Sequence, residues 1–241
     1  MKITFIGSSH GVPEPHRKCT CIMIEVGESI YFVDMGTSAI EALVKRGKSV
    51  DAVKGVFVTH MHGDHTNGLI QFADLITWYY KTPDPLICLP MPEAEGIINT
   101  WLDITLNGGE KKLRYAETHE GLVFDDGTLR VTAVPTQHCE KSFAYIVQAE
   151  GKTVLFTGDL KNPQIDFPEP AMNMALDLVV CESAHFEATD YIPVFEKCDI
   201  KRVCVTHYSD HFLASVLALT EYLNGSGIPA VRTSDDLEIE V

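Results

Sequence analysis

The chain has 241 residues, 45% of them hydrophobic, enough for a sizeable core and too apolar for a disordered or fibrous protein. Its formal charge is −15, from 19 Lys and Arg against 34 Asp and Glu, so a long nucleic acid is a disfavoured partner. No run approaches the roughly 20 apolar residues of a membrane span, so no membrane partner is expected.

Taken in chain order, residues 2–6 read as a strand, too short for the apolar stretch of a signal peptide. Residues 21–26 and 30–34 read as strands joined by the tight turn Gly27-Glu28. Residues 38–46 carry apolar side chains at helical spacing, with Ser38 as N-cap and Gly47 as the stop. A strand over 55–58 and a helix over 68–80 follow. A strand over 86–89 then precedes a helix over 93–106 that ends at Asn107-Gly108-Gly109. Strands are expected over 112–117, 129–135, 143–149 and 153–156. Residues 163–170 form a proline-rich surface loop, 178–181 and 202–206 are buried strands, and 212–223 is an amphipathic helix closed by Asn224-Gly225. Hairpins first and strands alternating with helices later suggest mixed sheets with helices packed outside, in a single domain over 1–241. The seven cysteines are odd in number and scattered, several inside apolar runs, which fits a reducing, cytoplasmic compartment.

The densest chemical signal is Thr59-His60-Met61-His62-Gly63-Asp64-His65, directly after the apolar strand residues 56–58. Extended backbone puts His60 and His62 on one face, and Gly63 lets the chain turn so that Asp64 and His65 face a neighbouring position. A polar loop with surface histidines is the bland alternative, but such a density rarely arises without a ligand role. The pattern recurs: apolar strands lead to His138, to Asp159 and to His207, each at a C-terminal end. Five histidines and two aspartates exceed the three protein ligands of a single catalytic ion and suffice for two, with Asp159 able to serve both through its two oxygens. Imidazole with carboxylate suits zinc first, with manganese or iron as alternatives.

These residues, in this order, resemble the metallo-β-lactamase superfamily, whose pattern is HxHxDH, a single His, a bridging Asp and a final His. Val33-Asp34-Met35-Gly36 matches the Asp-x-Gly that precedes the main motif there. The resemblance implies a four-layer αββα sandwich, an α/β fold with the site at one edge. It also implies that His60, His62 and His138 hold a first divalent ion and Asp64, His65 and His207 a second, with Asp159 between them. Residues 6–13, Ile6-Gly7-Ser8-Ser9-His10-Gly11-Val12-Pro13, resemble the opening of the ribonuclease Z and cyclic phosphodiesterase branch. Cys181-Glu182-Ser183-Ala184-His185 resembles the His-Glu-Ala-Thr motif of ribonuclease Z with Cys181 in place of its first His. The downstream His-Ser-Thr and the basic Gly-Pro-rich arm that grips tRNA are not found in the sequence.

The function expected is therefore hydrolysis of a small phosphodiester by a water shared between two ions, Asp64 orienting that water and His185 giving the leaving group its proton. Hydrolysis of an ester, thioester or lactone on the same scaffold is the alternative, as is a metal-binding or redox protein without hydrolytic activity. A homodimer stays open. Glu182 and His211 are weaker candidates for the site, His10 and His16 lie in a Gly/Pro-rich loop that can border it, and His119 reads as surface. Trp78, Tyr79 and Tyr80 read as core packing before they read as a pocket wall.

Overall fold

The computed structural model describes residues 1–12, 14–105 and 113–241. Two seven-stranded sheets dominate it. The first runs Leu237–Glu240, Lys2–Gly7, Cys21–Val26, Ser29–Met35, Val53–Phe57, Leu86–Leu89 and Arg114–Glu117, antiparallel through its first four strands and parallel from Ser29–Met35 onward. The second runs Ala230–Arg232, Val203–Tyr208, Leu178–Ser183, Lys152–Phe156, Phe143–Ala149, Arg130–Pro135 and Gly121–Asp125, parallel through Lys152–Phe156 and antiparallel beyond it.

Period-2 alternation sorts the side chains into layers. In Cys21–Val26, Ile22, Ile24 and Val26 point into the space between the sheets, where they meet Val131, Tyr145, Val147 and Phe156. Cys21 and Met23 point the other way, towards Leu43, Leu69, Phe72 and Ile98 of the outer helices Ala39–Lys45, Gly63–Leu75 and Glu93–Ile104. The second sheet covers its own outer face with Phe167, Tyr191, Phe195 and the helix Leu213–Gly225. Because both faces of the central strands are buried, they read as unbroken apolar runs. The result is the expected αββα sandwich.

Several expectations need correction. The helix after the histidine motif starts at Gly63, not residue 68, so Asp64 and His65 sit in its first turn, and its last residues, Ile76–Tyr80, form a π-helical turn. That turn leaves Trp78 45% and Tyr79 63% exposed, so only Tyr80 packs on the core. The proline-rich stretch folds into two one-turn helices, Pro163–Asp166 and Glu169–Met172. Strands Gly121–Asp125, Ala230–Arg232 and Leu237–Glu240 were not expected. Pro13, the Asn107-Gly108-Gly109 helix stop and the start of the strand expected at 112 lie outside the described residues.

Candidate metal centre

All seven side chains singled out for metal binding meet at one edge of the two sheets. His60, His62, Asp64 and His65 arrive together, on the link between Val53–Phe57 and the helix Gly63–Leu75 of the first sheet's side. His138, Asp159 and His207 come separately from the second sheet, just after Arg130–Pro135, just after Lys152–Phe156, and within Val203–Tyr208.

The ligand atoms fall into two groups that share Asp159. His60 Nε2 lies 2.9 Å from His62 Nδ1 and 3.6 Å from Asp159 Oδ2, and His138 Nε2 lies 3.2 Å from His62 Nδ1 and 3.7 Å from the same oxygen. His65 Nε2 and His207 Nε2 stand 3.4 and 3.3 Å from Asp159 Oδ1, and 3.6 and 3.7 Å from Asp64 Oδ2. Metal–nitrogen bonds of about 2.0–2.1 Å in tetrahedral arrangement separate ligand atoms by roughly 3.3 Å, so both groups have the right spacing for a cation at their centre. His65 Nε2 and Asp159 Oδ1 are buried and make no hydrogen bond among the described residues, an arrangement that costs free energy unless an ion occupies the space between them.

Titration in the ion-free protein follows the burial. Desolvation pushes His60 down to about 2 and His138 down to about 4, favouring the neutral imidazole that binds metal. His65 and His207 are equally desolvated, but the Asp159 carboxylate outweighs burial and raises both. In return these two imidazoles hold Asp159 well below the usual carboxylate range despite its burial.

Further side chains fix the ligands in place. Buried Asp34 accepts from Thr59 N at 2.8 Å and from His65 Nδ1 at 2.8 Å, which aims His65 Nε2 at Asp159. Asp34 has φ +59 and His207 φ +44, both in the left-handed region that non-glycine residues avoid, consistent with strain held by the surrounding contacts. Gly36 must be glycine, because a Cβ there would lie 1.6 Å from the Asp64 carbonyl oxygen. His207 Nδ1 donates to the Ser9 carbonyl at 3.1 Å, and its own N–H donates to Ser8 O at 2.9 Å. Asp166 was not foreseen: its carboxylate accepts from Gln137 N at 2.8 Å and Lys161 N at 3.0 Å, joining the loops that carry His138 and Asp159.

His185 lies beside the centre. Its Nδ1 is 2.9 Å from Glu182 Oε1 and 3.8 Å from Asp159 Oδ2. Burial alone would lower it, but the hydrogen bond and charge of Glu182 win and lift it to about 9. Glu182 also accepts from Leu160 N at 3.0 Å. Asp159, Glu182 and His185 form a third cluster with ligand-like spacing, so His185 can hold a proton or a cation. The Gly11 backbone stands over the Asp64 carboxyl, so the loop between the bridged Ser9 and Cys19 does border the site. Its His10 is engaged with Glu14, and His16, His119 and His211 are exposed and away from the ligand groups.

Residues 1–215 match the family described as "Anti-Pycsar protein Apyc1". Ribonuclease Z of Bacillus subtilis is 28% identical over 151 residues, 61% of this chain and 49% of that protein. The chain spans about half the length of the curated relatives it matches. The human tRNase Z short form superposes with a TM-score of 0.74 at 18% identity, covering 100% of this chain and 99% of the other. The metallo-β-lactamase fold protein YhfI of Bacillus subtilis gives 0.78 at 15% identity, again over 100% and 99%.

Proposed function

Since the chain belongs to the anti-Pycsar protein Apyc1 family and has the metallo-β-lactamase fold, we propose that it is a metal-dependent phosphodiesterase acting on a small substrate. The observation that carries this reading is the division of one carboxylate. Asp159 turns Oδ2 to the nitrogens of His60 and His138, with His62 in the same ligand group, and Oδ1 to His65 and His207, which is the arrangement a bridging ligand needs.

Two divalent cations held there would supply positive charge against a phosphate and a water whose pKa falls from about 15.7 towards about 7. The remaining work belongs to the chain. Asp64, partly exposed, accepts a hydrogen bond from the attacking water and orients it. His185, steadied by Glu182, stands on the same side and hands the leaving oxygen a proton from an exposed position. Asp34 and the Ser9 carbonyl keep His65 and His207 in the orientation that leaves Nε2 free for metal.

The charge of −15 favours a small anion drawn to a local metal centre over a polynucleotide held along the surface. The ribonuclease Z relatives keep RNA as the opposing case, which a gel-shift at physiological salt decides: nanomolar binding of tRNA would refute the small-substrate reading. Seven unpaired cysteines support a reducing, cytoplasmic setting, and no helix among the described residues is long and apolar enough to cross a membrane. The deciding assay is a hydrolysis panel after reconstitution with zinc or manganese, offering bis-p-nitrophenyl phosphate, cyclic nucleotides, thioesters and lactones side by side. Metal-dependent turnover of the phosphodiesters is expected. Turnover of only the thioesters or lactones would overturn the proposal.

A further inference from the structure

The chain crosses from the second sheet back to the first at Ser234-Asp235-Asp236, between strands Ala230–Arg232 and Leu237–Glu240. This segment lies outside residues 1–215, the span that matches the family. It is fixed at both ends: Thr233 N donates to Val205 O at 2.9 Å in the second sheet, and Asp236 N donates to Phe5 O at 2.7 Å in the first. Asp236 is also paired with Lys45 and Arg46. Asp235 instead turns inward and takes three donors. Its Oδ1 accepts from Ser8 N at 3.0 Å and from Ser8 Oγ at 2.9 Å, and its Oδ2 accepts from Lys18 N at 2.9 Å.

Ser8 and Lys18 are the two stems of the loop that borders the metal centre. Ser9 N donates to Lys18 O at 2.9 Å, and the Ser8 carbonyl, on the other side of the same planar peptide, accepts from His207 N at 2.9 Å. The next carbonyl, Ser9 O, accepts from His207 Nδ1 at 3.1 Å. One carboxylate therefore holds both flanks of the peptide that orients His207. The far part of the loop is aimed as well, since a Cβ on Gly11 would lie 3.2 Å from Asp64 Oδ2. His207 and Asp64 belong to the same ligand group. Ser8 is fully buried, so its N–H and hydroxyl have no solvent to turn to if this acceptor is removed, and bonds to a charged acceptor are about twice as strong as neutral ones. We propose that Asp235 is a positioning residue for the ligand group of Asp64, His65 and His207, acting through Ser8 and Lys18. The proposal rests on the two-ion reading of the centre, so one arm of its test is read in ion-free protein.

That arm is amide hydrogen exchange, followed residue by residue by NMR. In Asp235→Ala the His207 amide should exchange about tenfold faster or more, the factor that one lost bond to a charged group gives. The Ser8 and Lys18 amides should follow it, while Ile146 and Val147 in the second sheet keep their rates. Asp235→Asn separates the two stems. Its carbonyl oxygen keeps both bonds from Ser8, whereas its NH₂ meets the Lys18 N–H, so Lys18 should speed up and Ser8 and His207 should not. The second arm is chelator competition with zinc. Asp235→Ala should weaken one dissociation constant about tenfold, the lower end for loss of an outer partner, and leave the other unchanged. Asp236→Asn loses only surface ion pairs, at a left-handed φ of +65 that asparagine tolerates, and should change neither readout. An unchanged His207 amide in folded Asp235→Ala overturns the proposal, as does an Asp236→Asn variant that behaves like Asp235→Ala. If Asp235→Ala does not fold, Asp235→Asn decides: equal rates of change at Ser8 and Lys18 overturn it. A single ion in the fully loaded, unmodified protein would sink the two-ion reading, and exchange at His207 would still decide whether Asp235 orients that ligand.

Discussion

Asp34→Asn isolates how one buried carboxylate controls the metal centre it does not touch. Asparagine has nearly the same shape and is among the few residues that tolerate the left-handed φ of +59 found here, so the backbone need not move. Its carbonyl oxygen can keep the 2.8 Å bond from Thr59 N. Its NH₂ group then faces His65 Nδ1, where Asp34 Oδ2 now accepts at 2.8 Å. Two donors cannot share that contact, so His65 must move its proton to Nε2, the atom that faces Asp159. A lost hydrogen bond to a charged group costs about 2 kcal/mol. For a domain of this size that is a fall in Tm of about 4–8 °C in ion-free protein. Loss of such an outer partner weakens metal binding about 10- to 100-fold. Because only His65 is affected, the loss should fall on the site formed with Asp64 and His207 and spare the one formed by His60, His62 and His138. A chelator-competition titration with zinc would show one weakened and one unchanged dissociation constant. If both constants stay the same, or both weaken alike, Asp34 does not act through His65 and the reasoning is wrong.

Other substitutions separate the remaining roles. Asp159→Ala should weaken both metal sites in the same titration, and elemental analysis of the unmodified, fully loaded protein should give about two ions per chain; a firm value of one would remove the dinuclear arrangement. His185→Ala should keep both ions yet lower turnover about 10²- to 10⁴-fold for poor leaving groups and far less for p-nitrophenolate; lost metal would make His185 a ligand instead. Asp177 is desolvated, but the Thr153 N–H, Lys201 and Lys152 hold its pKa down to about 2, so it stabilises the fold at neutral pH and that contribution fades as pH falls from about 4 through 2. Asp177→Asn should lower Tm at pH 7 and flatten its decline across that window in a calorimetric series; an unchanged slope would discount the ion pairs. Burial pushes the Cys88 and Cys204 thiols up to about 12, and Cys21 and Cys181 are raised as well, so iodoacetamide should label at most Cys19, Cys139 and Cys198 before unfolding, as read by mass spectrometry.

What the sequence discloses about this site depends on how local the geometry is. His60, His62, Asp64 and His65 are read directly because a strand end and a helix start fix their directions within six residues. His138, Asp159 and His207 are legible because the same pattern, a strand run delivering a His or Asp at its C-terminal end, recurs three times, although the run before His138 is only half buried. Asp166 is not, since its partners Gln137 and Lys161 are defined by how two loops meet, and its helix Pro163–Asp166 is too short to show a helical period. Strand Gly121–Asp125 escapes notice because it is a half-buried edge whose apolar run, Leu122-Val123-Phe124, is only three residues long. Leu237–Glu240 does alternate, but four residues of Leu-Glu-Ile-Glu carry little weight beside longer patterns. The exposure of Trp78 and Tyr79 follows from the π turn, which shifts the helix face by a residue in a way that 3.6-residue periodicity does not anticipate.

The centre is a seam between two sheets, and that explains the hydrogen bonds concentrated there. One sheet brings four ligands in a single turn and the other brings three from separate strands, so a relative slip of about 1 Å would spoil both ligand groups at once. Ordinary apolar packing between the sheets, Phe57 against Tyr145 for example, sets their spacing but resists sliding weakly, because dispersion is not directional. Directional bonds supply what packing lacks, and they cross the seam beside the ligands. Phe143 N donates to Thr59 O at 2.9 Å next to His60, Tyr145 Oη donates to Val58 O at 2.6 Å one residue earlier, and His207 N donates to Ser8 O at 2.9 Å. Each joins a first-sheet loop to a second-sheet strand within two residues of a ligand or of the loop above it. The backbone strain at His207 belongs to the same device: its left-handed φ lets one residue bond the first sheet's loop through N and Nδ1 while Nε2 turns to Asp159.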